Sequence, residues 1–209
     1  MQELDLHLAI QRSERLSDLF QETLGAQATL EPRGHIAIAY LSLCLAHREA
    51  ILTLVKCDAA PSATALQRAL LEAFVTGAWV DNAATDAELR EVAPLGPKPR
   101  PKFETMAQKL REKHVLGEWF EAFRGHYKVL GDYAHGYERQ LSRWLSAEAV
   151  EPQYSNGQMI EVLQHTDFIG VLAAIHREQI ANRPYAHLLQ TLEAIMHKRD
   201  YPSSEDRTR

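Results

Sequence analysis

Leucine and alanine recur three and four positions apart through most of the chain, and Val, Ile and Thr never gather into alternating runs, so the period is helical. The pattern predicts an all-α protein: a single-domain bundle of about six to eight mostly antiparallel helices over residues 1–199, followed by a disordered polar tail at 200–209. The first helix is expected over 4–24 with Gly25 as its stop, and the second runs from the Pro32-Arg33-Gly34 turn to Lys56. Pro61 suits the first turn of a third helix reaching Asn82, with a short helix over 86–92 after it. The stretch APLGPKPRPK at 93–102 is too rich in proline for a helix. It predicts an extended connection carrying Lys98, Arg100 and Lys102, either a solvated loop or a basic flap over a site.

Helices follow over 103–113 and 118–130. Gly131 is placed to end the latter and Asp132 to cap another running to Leu145, with one long kinked helix as the alternative. The SNGQ stretch at 155–158 is a capping box, in which serine and glutamine satisfy each other's free backbone donors, and it opens a long helix to Ile180. Pro184 opens the last helix, ending near Lys198.

Within the third helix, Leu66, Leu70, Leu71, Phe74, Val75, Trp79 and Val80 cover nearly the whole circumference, which predicts a central buried element. Arg68 and Glu72 lie four apart inside it, and an ion taken from water costs several kcal/mol unless it is paired. A second polar stripe occupies GDYAHGYERQLSR at 131–143, where Asp132, His135, Arg139 and Arg143 follow one line while Leu130, Ala134, Leu141 and Leu145 form the buried side. Arg139 and Arg143 repel across one turn unless an anion separates them, either the Glu72 carboxylate or a phosphate. His135, three residues from both Asp132 and Glu138, has the setting of a proton donor or acceptor, or of a packed histidine beside a helix cap.

Composition narrows the function classes. A net charge of -5 argues against a chain that coats nucleic acid or anionic membrane through its overall field and leaves room only for a site-sized basic patch, and 45% apolar residues suffice for one sizeable core. Cys44 and Cys57 fall in or at the end of one helix, so no disulfide framework is expected. The acidic start MQELDLHLAI has no signal pattern, and the apolar run 36–46 falls short of the ~20 residues that span a bilayer, so a cytoplasmic protein with no membrane partner is expected. Phosphate-loop, HExxH, zinc-spacing, GxGxxG and GxSxG patterns are absent. Asp132, His135 and Glu138 would give at most a partial metal site, and neither metal nor cofactor is expected.

Three stretches carry a resemblance: AxxxxRALLEAFVTGAWV at 63–80, DYAHGYERQLSRW at 132–144 and VEPQYSNGQMIEVL at 150–163. Together, over roughly 46–192, they resemble an uncharacterised bacterial helical family, a domain of unknown function. The resemblance implies site positions at Arg68, Glu72, Tyr133, His135, Gly136, Gln140 and Arg143. The chain departs from that pattern with Ala134 in place of a common Thr and Tyr137 in place of a second Gly. A more distant similarity is to the HEPN superfamily of helical bundles, many of them dimeric ribonucleases of toxin-antitoxin and phage-defence systems. Their signature of Arg and His four to six intervening residues apart on one helix does not occur in this sequence.

Two functional expectations follow. The first is a non-catalytic, homodimeric ligand-binding or interaction module, with Arg68, Glu72, Asp132, Tyr133, His135, Gln140 and Arg143 as an interhelical polar cluster that receives a small anionic ligand or a protein partner. The second is a HEPN-like ribonuclease or nucleotide-acting enzyme acting on RNA, with His135 as acid–base and Arg68 or Arg139 stabilising phosphate charge. Arg68 meeting His135 around an open cleft favours the enzyme; a closed Arg68–Glu72–Arg143 network favours a structural role.

Overall fold

The fold is described from a computed structural model, for residues 5–25, 30–91, 96, 98–115, 119–145 and 150–196, with the backbone alone at 119–121. The tail expected at 200–209 and the end of the last helix at 197–198 lie outside the described residues. Among them are nine helices: α1 (Leu6–Thr23), α2 (Pro32–Lys56), α3 (Ala60–Asn82), α4 (Asp86–Glu91), α5 (Phe103–Glu112), α6 (Trp119–Ala134), α7 (Glu138–Leu141), α8 (Asn156–Ile180) and α9 (Ala186–Met196). No strand occurs among the described residues, and the class is all-α as the periodicity predicts.

Local chemistry sets the starts. The Asp5 carboxylate accepts the His7 backbone N–H at 2.9 Å and caps α1, Pro32 opens α2, and Ser155 with Gln158 closes both halves of the capping box of α8. The stops are more varied. Four helices end in a residue of left-handed backbone: Asp58 after α2 (φ 56°), His114 after α5 (φ 54°), Gly136 after α6 (φ 67°) and Asn182 after α8 (φ 52°). In each case the next residue donates its N–H five positions back, Ala59 to Leu54, Val115 to Leu110, Tyr137 to Asp132 and Arg183 to Glu178, which satisfies carbonyls left open by the last turn.

The helix boundaries around the second polar stripe differ from those expected. Gly131 does not end α6 and Asp132 does not cap a new helix; α6 runs on to Ala134 and breaks at Gly136, where the backbone turns left-handed. Only the four-residue α7 follows. The turn changes the register, so Ala134, Leu141 and Leu145 are exposed and of the expected apolar side only Leu130 is buried.

The third helix is central, as its all-round apolar pattern predicts. Leu70, Leu71, Phe74 and Trp79 are essentially inaccessible, and α3 packs against α2, α5, α6 and α8. The buried apolar residues from Ala9 to Leu188 form one connected cluster. Helix α2, at 25 residues, is long and apolar enough by length and composition to cross a bilayer, a test that the shorter run 36–46 does not meet. It inserts Leu41, Cys44 and Ile51 fully into the protein core.

At the contact of α1, α2 and α8 lies an ion pair without exposed surface on the arginine side. Arg48 (0% exposed) donates through Nη2 to Asp167 at 2.7 Å and to the Ser13 hydroxyl at 2.6 Å, Nε also donates to Asp167 at 3.0 Å, and Nη1 reaches Ser17 and Glu49. Burial disfavours the cation, but the attraction and hydrogen bonds of Asp167 and Glu49 outweigh it and hold the Arg48 pKa above its ordinary value. Nothing in local spacing signals this pair, which joins residues 119 apart.

Candidate functional site: a cleft and a groove on either side of one helix

Helix α6 divides the expected polar cluster in two. On one side lies an open groove of about 660 Å³ whose lining includes Arg68, Tyr127, Asp132 and His135; on the other lies a smaller cleft of about 210 Å³ that includes Tyr133 and Arg143. The α6 positions share one helix but not one face.

The groove side is anchored by Glu72. Arg68 Nε donates to Glu72 Oε1 at 3.1 Å, Arg68 Nη2 donates to the Tyr127 hydroxyl at 2.6 Å, and that hydroxyl donates to Glu72 Oε1 at 2.8 Å. Arg100 completes the cluster by donating to Glu72 Oε2. The proline-flanked connection therefore carries one arginine into the fold, a role between the solvated loop and the flap. Burial pushes the Glu72 carboxyl up, but its bonds from Tyr127, Arg68 and Arg100 overcome this and leave its pKa below the ordinary value. The same burial and the neighbouring carboxylate push the Tyr127 hydroxyl up to about 12. The Tyr127 ring stacks on Phe103 at 3.7 Å and lies under the Arg68 guanidinium at 4.3 Å, so the arginine is held by charge, hydrogen bond and ring face together.

Glycine at 131 serves this arrangement. A Cβ there would stand 2.5 Å from Arg68 Nη1, so the absence of a side chain lets the guanidinium pass across α6.

Glu72 is thus not the anion between Arg139 and Arg143: its partners are Arg68, Arg100 and Tyr127. Arg139 instead pairs with Asp132 at 3.0 Å on the exposed surface, and His135 is exposed with its ring 5.6 Å from that of Tyr137. A closed Arg68–Glu72–Arg143 network, the arrangement that favours a structural role, does not form, because Arg143 lies across α6 with its guanidinium 5.9 Å from the Tyr154 ring. Arg68 and His135 do share the lining of the groove.

The cleft is built by α3, α6, α8 and the return of the chain between α7 and α8. In that return Gln153 donates its N–H to the Arg143 carbonyl at 2.7 Å, and Leu145 and Val150 form an antiparallel bridge, which brings Arg143 beside Tyr154. Gln140 fastens it to α3 by accepting from the Tyr154 hydroxyl at 3.0 Å and donating to the Pro61 carbonyl at 3.5 Å. Across the cleft, the rings of His126 and His165 lie 4.0 Å apart at 41°, and the Gln67 amide stands 3.3 Å from His165 Nδ1. Burial and the adjacent His126 push His165 down to about 3, and burial also lowers His126, so both rings are uncharged near neutrality. Burial, then the neighbouring Tyr133, raises the Tyr154 hydroxyl above its ordinary value against the pull of Arg143.

Of the residues the sequence singles out, Tyr133 and Arg143 therefore line the cleft and Gln140 braces it through Tyr154, Arg68, Asp132 and His135 line the groove, and Glu72 belongs to the cluster anchoring Arg68. Tyr127, His126, His165, Gln67 and Tyr154 are additions of the fold. They come from α3, α6, α8 and the stretch before α8 and share no spacing that joins them; the one local signal is the half-polar face of α8, where Gln158, Glu161 and His165 fall at helical intervals. Among the described residues no group of three or more His, Cys, Asp or Glu side chains is placed to hold a metal.

Neither a curated protein nor a solved structure matches the chain. One family does, over residues 41–198, which include all of α3 to α9 and the cleft and groove they build. The chain belongs to DUF6988, a family of unknown function.

Proposed function

We propose that the protein is a small-molecule-binding module whose site is the cleft between α3, α6 and α8, and that it performs no chemistry on what it binds. The observation that carries this reading is the lining of the 210 Å³ cleft, where two uncharged histidines, two tyrosines and one arginine converge over an apolar floor. A concave apolar space with a few convergent polar groups is the usual form of a ligand site. Neutral imidazoles and tyrosines offer donors and acceptors without a fixed charge. A thermal-shift panel of small organic acids, amines and neutral aromatics tests it. Occupancy at 100 times the dissociation constant adds about 2.7 kcal/mol of stability. A ligand whose shift persists after Val129→Trp, which fills the cleft from α6, would place its site elsewhere.

A second reading rests on the shared lining of Arg68 and His135 in the groove, with Arg124 and Lys128 beside them. It assigns the groove to phosphate-ester chemistry on RNA, with His135 as acid–base. The bonds of Arg68 to Glu72 and Tyr127 favour a structural use of that arginine, so purified protein is expected to leave RNA intact. Cleavage lost in His135→Ala, with unchanged circular dichroism, would transfer the function to the groove.

A further inference from the structure

We propose that the cleft takes a monocyclic aromatic monocarboxylate of the benzoate type, its ring against the His126–His165 pair and its carboxylate on Arg143. This rests on the cleft being the ligand site, and three observations select the class.

Size comes first. An apolar cavity of about 150 Å³ holds benzene, so the 210 Å³ of the cleft accommodates one six-membered ring with a substituent of a few atoms. It falls below the ~300 Å³ typical of sites that bury drug-sized ligands, so a nucleotide would stand largely outside the cleft.

The walls come second. Val129, Leu130, Met159 and Val162 give the cleft an apolar floor, while the tilted imidazoles and the Tyr133 and Tyr154 rings supply aromatic surface at its sides. A planar ring gains both burial and edge-to-face contact there. A flexible aliphatic chain of the same volume would gain only the burial.

Charge decides the substituent. Arg143 is the one lysine or arginine lining the cleft, it is half-buried, and among the described residues no carboxylate pairs with it. Its guanidinium is held near the Tyr154 ring, leaving its fork of N–H groups for a planar carboxylate. With both histidines uncharged, a single negative charge on the ligand matches the single cation. Glu161 is exposed at the rim, where it disfavours a second negative charge and accepts from a ring hydroxyl or amino group. The ligand is therefore a monoanion, with a hydroxyl or amino substituent tolerated on the ring.

Isothermal titration of the full chain with benzoate, 4-hydroxybenzoate, benzamide and acetate tests the class. Benzoate or its hydroxylated form is expected to bind at least about tenfold more tightly than benzamide, and Arg143→Gln is expected to remove that difference, as the loss of a charge-assisted bond of more than about 1.4 kcal/mol requires. Acetate, with the charge but no ring, is expected to leave no measurable heat. Val129→Trp should abolish aromatic binding while its circular dichroism matches the parent. Equal binding of benzamide and benzoate, or benzoate affinity unchanged in Arg143→Gln, overturns the ligand class; if Val129→Trp still blocks that binding, the cleft survives as the site. Binding that persists in Val129→Trp removes the cleft itself. Dissociation constants above about 1 mM for both carboxylates overturn the class outright.

Discussion

Gly131 and Arg68 are best understood as one feature divided between two helices. The glycine sits inside α6, where it costs roughly 1 kcal/mol against alanine, and it does so to leave space for a guanidinium that binds Glu72 and Tyr127. Gly131→Ala is expected to destabilise the protein by about 1 kcal/mol, because displacing Arg68 from bonds worth about 1.5–3 kcal/mol outweighs the helix gain. In an Arg68→Ala background the same change is expected to stabilise by roughly 0.5–1 kcal/mol. A double-mutant cycle in urea reads the reversal, and additive effects would deny the coupling. The sequence showed that Arg68 and Glu72 needed partners but read Gly131 as a helix stop, since a glycine that clears space and one that ends a helix look alike in one dimension. Tyr127 was missed because a tyrosine on an amphipathic helix gives no sign of the carboxylate it will meet from another helix.

Among elements, helix starts were legible and helix stops less so. Proline and capping-box signals act through adjacent residues, and α3 and α8 begin where those residues predict, while α2 takes in the Pro32-Arg33-Gly34 stretch expected to precede it. Three stops use Asp58, His114 and Asn182 in a left-handed conformation that glycine adopts more easily, so the usual glycine signal is missing there. His114→Gly is expected to raise stability by about 0.5–1 kcal/mol by relieving that conformation, measured as a higher urea midpoint at constant slope. Gly136→Ala is expected to lower it by about 1 kcal/mol or more, since φ of 67° opposes any Cβ and nothing lies near enough to compensate. The break at Gly136 is also why the second polar stripe did not remain a stripe: residues before it stay on α6, and those after it turn into the return that carries Arg143 to the cleft.

At the scale of the whole molecule, burial of the histidine pair makes the fold sensitive to acid. His165 stays neutral down to about pH 3 in the folded state but takes a proton near 6.5 when unfolded, so between those values the unfolded chain binds more protons and stability falls as pH falls. The expected decline is roughly 1.4 kcal/mol per pH unit from this group, while Glu72, whose pKa is lowered, adds its loss only further into acid. Urea unfolding of His165→Gln between pH 6.5 and 4.5 should show a shallower slope than the parent. An equal slope would locate the acid sensitivity in other groups.

The pair between Arg48 and Asp167 also acts at this scale. Asp167→Ala leaves a cation with 0% exposure without its main partner and is expected to cost about 3–5 kcal/mol, read from the denaturant midpoint. Three of the oxygens around that cation, the hydroxyl and carbonyl of Ser13 and the hydroxyl of Ser17, belong to α1, which lies outside the 41–198 span matched by the family. The packing that closes on Arg48 therefore extends beyond the matched span. A chain cut back to the shared residues would turn the inner face of α2 and α8 toward water, with Arg48 its most exposed consequence. Relatives without an equivalent of α1 should carry an uncharged residue in place of Arg48, or supply its missing oxygens from another segment.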